Sequence, residues 1–239
     1  MTIATSRTLG AFALPEGFAV RDFDLVNERV ARRAGSDENA WHGFASAWNG
    51  IAYRLRGTLE HASAVSKSLT ISSAPPPEDR YRQDHDLFGF FISSVSTIEC
   101  FCFAAHCIGS LLVAGGFPLQ TAGHLKFRTN DVRTKYKTHF PGDSLAKALD
   151  SVLTAGEYSQ LVQIRNVMAH RGTPPRQHFL STSGPDTPSA IPSNLADPAS
   201  AWQYDLHLSP SSLDPLVEWV KRAVADLVAA AGEFARSRL

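Results

Sequence analysis

The residues best suited to chemistry in this chain form one short run, Arg165-Asn166-Val167-Met168-Ala169-His170. An arginine guanidinium holds a phosphate through a planar fork of N–H donors. A histidine imidazole gains and loses a proton near neutral pH and therefore serves as a general acid or base. These two groups supply part of what cleavage of RNA without a metal ion requires, and the amide of Asn166 lies beside them in the sequence.

The run lies near the end of a predicted helix from Glu157 to Arg171, which Gly172 and the following prolines close. On a helical wheel of about 100° per residue, Arg165 lies about 40° from Leu161, inside an apolar sector, and His170 lies roughly opposite. Asn166 lies about 40° from His170. Because arginine is rarely buried unless it is paired, Arg165 is expected to have a partner.

Glu99 is the candidate partner, because it is the sole carboxylate between Leu87 and Val113, the most apolar run of the chain. An alternative needs no partner. In it Arg165 lies at the core edge or bonds helix carbonyls, and His170 is a solvated residue favoured by the helix dipole.

The apolar run from Leu87 to Val113 is expected to be a buried central helix. One helical stripe runs along it, made of Phe91, Val95, Ile98, Cys102 and Ala105. Its length also allows a membrane span, but a charge such as Glu99 near mid-membrane is costly. We therefore expect no membrane association.

The composition is that of an ordinary globular protein, with 44% hydrophobic and 19% charged residues in 239. Lys plus Arg and Asp plus Glu both total 23, so the net charge is zero with His neutral. This balance argues against a general nucleic-acid coat but permits a local basic site.

The cysteines favour buried, reduced thiols over disulfides or a metal site, because all three lie in one apolar segment. We expect no metal site and no cofactor. The first twenty residues lack the pattern of a signal peptide, so a cytoplasmic location is expected.

The chain is expected to fold as an all-α bundle of four or five helices. Residues 1–40 are interpreted as an N-terminal arm containing a short helix at 25–33, and residues 41–239 as the helical domain. That domain carries a long Pro/Ser-rich insertion at about 172–210, and the alternation from Trp202 to Leu208 is compatible with a short strand or hairpin. Expected helices cover 41–69, 87–113, 143–153, 157–171 and a final one that Ser211 or Ser212 caps.

The order Arg-Asn-x-x-x-His at the end of a late helix, in an α-helical chain, resembles the HEPN superfamily (higher eukaryotes and prokaryotes nucleotide-binding). Arg165, Asn166 and His170 match its signature at the shortest permitted spacing. The earlier helix segment Phe90 to Glu99 is also similar to members of that group. The resemblance covers roughly residues 41–235.

The resemblance implies a metal-independent endoribonuclease of a toxin–antitoxin, phage-defence or RNA-processing system. Arg165 and His170 would be catalytic, Asn166 would support them, and the product would carry a 2′,3′-cyclic phosphate. It also implies a homodimer that brings two motifs into one cleft, and an antitoxin or other protein partner. Two alternatives stay open: a non-catalytic HEPN-like module that binds RNA or nucleotide or acts as a dimerising scaffold, and a plain helical interaction protein.

Basic residues near the motif and in the preceding polar stretch are candidates for contacts with RNA. Phe127 and Tyr136 interleave with the second group. The alternative for residues 119–141 is a solvated loop between helices. The candidate RNA-binding residues are Arg171, Arg176, Lys126, Arg128 and Lys135.

Overall fold

The computed structural model describes residues 14–15, 17–35, 37–69, 77–119, 127–170 and 210–239. These residues form seven α-helices and confirm the all-α bundle, but the expected number of four or five helices is too low, because residues 20–34 and 129–139 also pack as helices on the core. In chain order the helices are α1 (Val20–Ala34), α2 (Glu38–Ser68), α3 (Pro77–Leu112), α4 (Thr129–His139), α5 (Ser144–Leu153), α6 (Gly156–His170) and α7 (Asp214–Arg238).

Helix α3 is the central element, since it packs against α2, α4, α6 and α7. All five residues of its expected apolar stripe are buried. It is also the one described helix long and apolar enough to span a membrane, with 61% of the relevant window buried inside the protein. A helix covered to this extent by its neighbours is the buried central helix that the sequence predicts.

Helices α2 and α3 form an antiparallel pair that approaches unusually closely along a stripe of glycines. Gly43, Gly50 and Gly57 recur every seven residues on α2. A Cβ atom added to each of them would lie 3.1, 2.9 and 3.2 Å from the side chains of Cys107, Cys100 and Ser93, respectively. These three α3 residues also recur every seven residues, in the opposite order.

Beyond Gly57 the two helices exchange roles. The glycine is now Gly89 on α3, and the side chain that packs against it is His61 of α2. A Cβ at Gly89 would meet this ring at 2.5 Å. His61 Nδ1 lies 3.1 Å from Asp86 Oδ1, which links the two helices at the same level. Small residues thus set the distance between the two longest helices, and they explain why Cys107 is buried and Cys100 is half-buried there.

Helix α1 includes the short helix expected at 25–33 and extends beyond it at both ends. It contributes to the common core. Phe23 is fully buried and stacks on Trp48 with ring centroids 4.8 Å apart. The Trp48 indole N–H donates to the Phe23 carbonyl at 3.1 Å. Helix α1 packs mainly on α7, which also covers α5.

Several expected boundaries hold and others are wrong for identifiable reasons. Helix α3 begins ten residues before Leu87, because polar contacts hold its first turns, including the bond from Gln83 Nε2 to the Ser68 carbonyl. Asp143 occupies the N-cap of α5, but its carboxylate accepts from Arg238 instead of capping. Helix α7 begins at Asp214, after a turn that contains Ser211, and Leu213 occupies its N-cap position.

The solvated-loop alternative for residues 119–141 is wrong for 129–139, which form α4. Val132 and Tyr136 lie one turn apart and are both fully buried. The Tyr136 hydroxyl donates to the Ala105 carbonyl of α3 at 2.7 Å. The insertion at 172–210, up to residue 209, and the strand expected at 202–208 lie outside the described residues.

The close approach of α2 and α3 gives a direct test. Gly50→Leu should lower the free energy of unfolding by about 3 kcal/mol, because overpacking against Cys100 forces the helices apart. Gly156→Ala is the control, since a Cβ at Gly156 meets nothing within 4 Å. Urea denaturation followed by circular dichroism measures both. Equal stability of Gly50→Leu and the wild type would contradict the account of the glycine stripe.

Candidate functional site

The candidate site is built on α6, whose buried side fixes the orientation of its polar residues. Tyr158, Leu161, Ile164 and Val167 are buried. Arg165 lies at the edge of this buried side, while Asn166 and His170 are exposed. The wheel drawn from the sequence therefore holds, except that burial of Val167 shifts the core-facing side away from Arg165.

The expected pair of Arg165 and Glu99 is confirmed as a direct ion pair between α6 and α3. Arg165 Nη2 donates to Glu99 Oε1 at 3.0 Å. The two side chains are 22% and 37% exposed, so the pair lies at the margin of the core and remains accessible from solvent. Its contribution to stability is accordingly about 1 kcal/mol rather than that of a fully buried pair.

The guanidinium of Arg165 retains donors beyond the one given to Glu99. Its Nε is buried and has no hydrogen-bond partner among the described residues. The fork is thus held at one corner by a carboxylate, while the buried Nε–H group stays unengaged within that part of the chain. An anion that reaches this arginine finds a donor already oriented by Glu99.

Tyr158 is buried two turns before Arg165, on nearly the same side of α6. Its hydroxyl lies 3.3 Å from Thr129 Oγ1, at the start of α4. Burial raises the pKa of Tyr158 to about 12, while the Thr129 hydrogen bond opposes this shift. The phenol is therefore protonated at neutral pH and unsuited to act as a general base. The sequence pattern places Tyr158 among the core residues and gives no sign of this contact.

Cys100, next to Glu99, is not an activated nucleophile. Burial raises the pKa of its thiol, the charge of Arg54 lowers it, and that of Glu99 raises it further. A thiol with a raised pKa is inert at neutral pH. Cys102 and Cys107 are also free and buried, with thiol pKa values raised mainly by burial.

The candidate RNA-binding residues fall into two groups. Arg171, Arg176 and Lys126 lie outside the described residues. Arg128 is exposed at the N-cap of α4, one residue before Thr129 and thus beside the Tyr158 contact. Lys135 lies farther along α4, half-buried, with its ammonium 5.5 Å from the centre of the Phe117 ring.

The ion pair can be tested by a double-mutant cycle with Glu99→Gln and Arg165→Gln. We expect a coupling energy of about 1 kcal/mol, because each partner loses its charge-assisted bond when the other is replaced. Lys221 and Glu218 form an exposed pair at 2.8 Å on α7 and provide the control cycle, with a smaller coupling. Thermal unfolding measures both, and a coupling of zero between Glu99 and Arg165 would contradict the pair.

Among the described residues, no three His, Cys, Asp or Glu side chains are grouped closely enough to hold a metal ion. Comparison of the chain with protein-family models, with curated proteins and with solved structures gives no match. The features of the chain that bear on function are consequently the positions of Arg165, Asn166, His170 and Glu99.

Proposed function

We propose that this protein is a metal-independent endoribonuclease of the HEPN type, acting in a toxin or phage-defence system. The observation that supports the proposal is the accessible ion pair of Arg165 with Glu99. It holds an arginine at the core edge of the helix that also exposes Asn166 and His170. An oriented guanidinium and an exposed imidazole on one helix are suited to phosphoryl transfer.

In the proposed reaction the 2′-hydroxyl of one nucleotide attacks the adjacent phosphorus. The new P–O2′ bond forms as the P–O5′ bond breaks, the attacking hydroxyl loses its proton, and the leaving O5′ gains one. His170 takes part in these proton transfers, and Arg165 stabilises the negative charge on the non-bridging oxygens. The products are a 2′,3′-cyclic phosphate and a free 5′-hydroxyl.

The geometry of α6 favours a site shared between two copies of the chain. Arg165 and His170 diverge by about 140° around the helix and by about 7.5 Å along it. One α6 therefore does not aim both groups at the same phosphate. A two-fold axis beside the C-terminal turn of α6 would bring two arginines and two histidines into one cleft.

The alternative is a non-catalytic HEPN-like module that binds RNA or nucleotide or serves as a dimerising scaffold. One observation favours it: Glu99 already satisfies a donor of Arg165, as in a purely structural ion pair. In this case Arg165 would position α6 against α3, and an antitoxin or other protein would be the biological partner.

Cleavage of single-stranded RNA in EDTA tests the proposal. Arg165→Ala and His170→Ala should each reduce the rate by about 100-fold or more, because each removes a group that acts on the transition state. His42→Ala is the matched control, since His42 is exposed on α2 and distant in sequence from the motif. The products should carry 5′-hydroxyls that polynucleotide kinase can label. Folded wild-type protein that cleaves no member of a broad RNA panel would favour the binding module.

A mixed dimer tests the shared site. Arg165→Ala and His170→Ala chains with different tags are co-expressed, and the heterodimer is isolated by two affinity steps. It should regain activity that both homodimers lack, because it retains one arginine and one histidine in a common cleft. A purified heterodimer as inactive as the two homodimers would exclude a site that needs one group from each copy.

A further inference from the structure

A groove open to solvent lies at the C-terminal end of α3, on the side where α4 packs. Its volume is about 500 Å³. The loop after α3 forms one wall, and the last two turns of α4 form the other. The lining residues are Val113, Ala114, Gly115, Gly116, Thr134, Lys135, Thr138 and His139.

The groove offers two donors to an anion, the Lys135 ammonium and the His139 imidazole. The hydroxyls of Thr134 and Thr138 donate to carbonyls of their own helix at 3.0 and 2.9 Å, so their protons are already engaged. The ring of His139 packs 5.6 Å from that of Phe117. Gly116 gives it room, because a Cβ there would lie 3.2 Å from His139 Nε2.

Lys135 differs from its neighbours on α4 in having no carboxylate partner among the described residues. Lys137 Nζ bonds both oxygens of Asp150 at 3.1 Å. Arg133 Nε lies 3.8 Å from the same carboxylate. Asp150 thus neutralises the α5-facing side of α4, whereas the ammonium of Lys135 lies over the Phe117 ring. Of the two lysines on α4, Lys135 is therefore the one without an ion-pair partner among the described residues, and it lines the groove.

The groove and the candidate cleavage site share one face of α3. Val113 follows Glu99 by fourteen residues, which is about 21 Å along the helix and within about 40° around it. Phe103 lies between them on this face and is half-buried. The ring of Phe127, also half-buried, packs against it edge-on at 5.3 Å. Partly exposed rings between two cationic positions are the arrangement that binds single-stranded nucleic acid through stacking and phosphate contacts.

We propose that this groove is a second contact for single-stranded RNA, in which Lys135 and His139 bind a backbone phosphate remote from Arg165. The RNA would run along the α3 face past Phe103. The choice of RNA as the ligand rests on the proposed function. An open groove suits a polymer that passes through it, whereas a free phosphate or a mononucleotide is normally held in a more enclosed site.

The test measures binding of a fluorescent oligonucleotide of about a dozen 2′-O-methyl nucleotides, a length sufficient to reach both positions. The methyl group blocks the attacking hydroxyl, so binding is separated from cleavage. Lys135→Gln should raise Kd about fivefold and reduce the salt dependence by about 0.7 in log Kd per log salt, the loss of one phosphate contact. A dinucleotide, too short to span 21 Å along α3, should bind the wild type more weakly than the oligonucleotide does.

Lys137→Gln is the matched control, because it removes the same charge from the same helix but leaves the groove intact. Equal effects of Lys135→Gln and Lys137→Gln would show a general electrostatic field and overturn the proposal. The proposal would also be overturned if inorganic phosphate or a mononucleotide competed for binding as effectively as the unlabelled oligonucleotide. Thermal unfolding of both variants checks the fold, since glutamine keeps much of the lysine stem and its packing.

The groove proposal and the nuclease proposal can be overturned independently of each other. If the wild type cleaves RNA and Lys135→Gln binds the oligonucleotide as tightly as the wild type, the groove proposal is wrong and the nuclease proposal stands. If no RNA is cleaved but Lys135→Gln selectively weakens binding, the groove is an RNA contact of a non-catalytic module.

Discussion

The close packing of α2 against α3 is the constraint on which the rest of the structure depends. Cys100 fits against Gly50, and this contact fixes the rotation of α3 about its own axis. Glu99, one residue earlier, is turned by about 100° from that contact. It therefore faces α6 and meets Arg165. The contact of the Cys100 side chain with the Gly50 backbone thus decides where the one carboxylate of the apolar run lies, and with it the orientation of the candidate site.

The polar groups of the central helices are satisfied in two different ways. The hydroxyls of Ser94 and Thr97 bond carbonyls of their own helix at 2.7 Å, and Ser94 also lies 3.5 Å from the Thr58 hydroxyl of α2. Glu99 is an acceptor, and its carboxylate receives a hydrogen bond from Arg165 of α6 instead. Because an ionised carboxylate is costly to bury alone, the pair stays at the margin of the core, where solvent still reaches it. An accessible ion pair is a consequence of that cost, and it leaves the arginine open to a ligand.

The sequence predicts the parts of this structure that depend on the periodicity of apolar residues. It misses those that depend on contacts between different helices. The apolar spacings along α2, α3 and α6 locate these helices, and the isolation of Glu99 and Arg165 among apolar residues is enough to pair them. In contrast, α4 carries few apolar residues, and its helical state depends on the burial of Tyr136 against α3. The sharing of Asp150 by Arg133 and Lys137 is likewise invisible in the sequence, because it requires the packing of α4 on α5.

The glycine stripe has a consequence for the alignment of the two longest helices. Because its contacts repeat every seven residues, sliding α3 by one repeat would still set Gly50 against a small side chain, either Ser93 or Cys107. The glycine stripe alone therefore does not determine the register of α3 relative to α2. His61 removes the ambiguity, since its ring fits over Gly89 and would otherwise face Arg82 or Ser96, away from Asp86. A single histidine near the connection between the two helices thus selects their register.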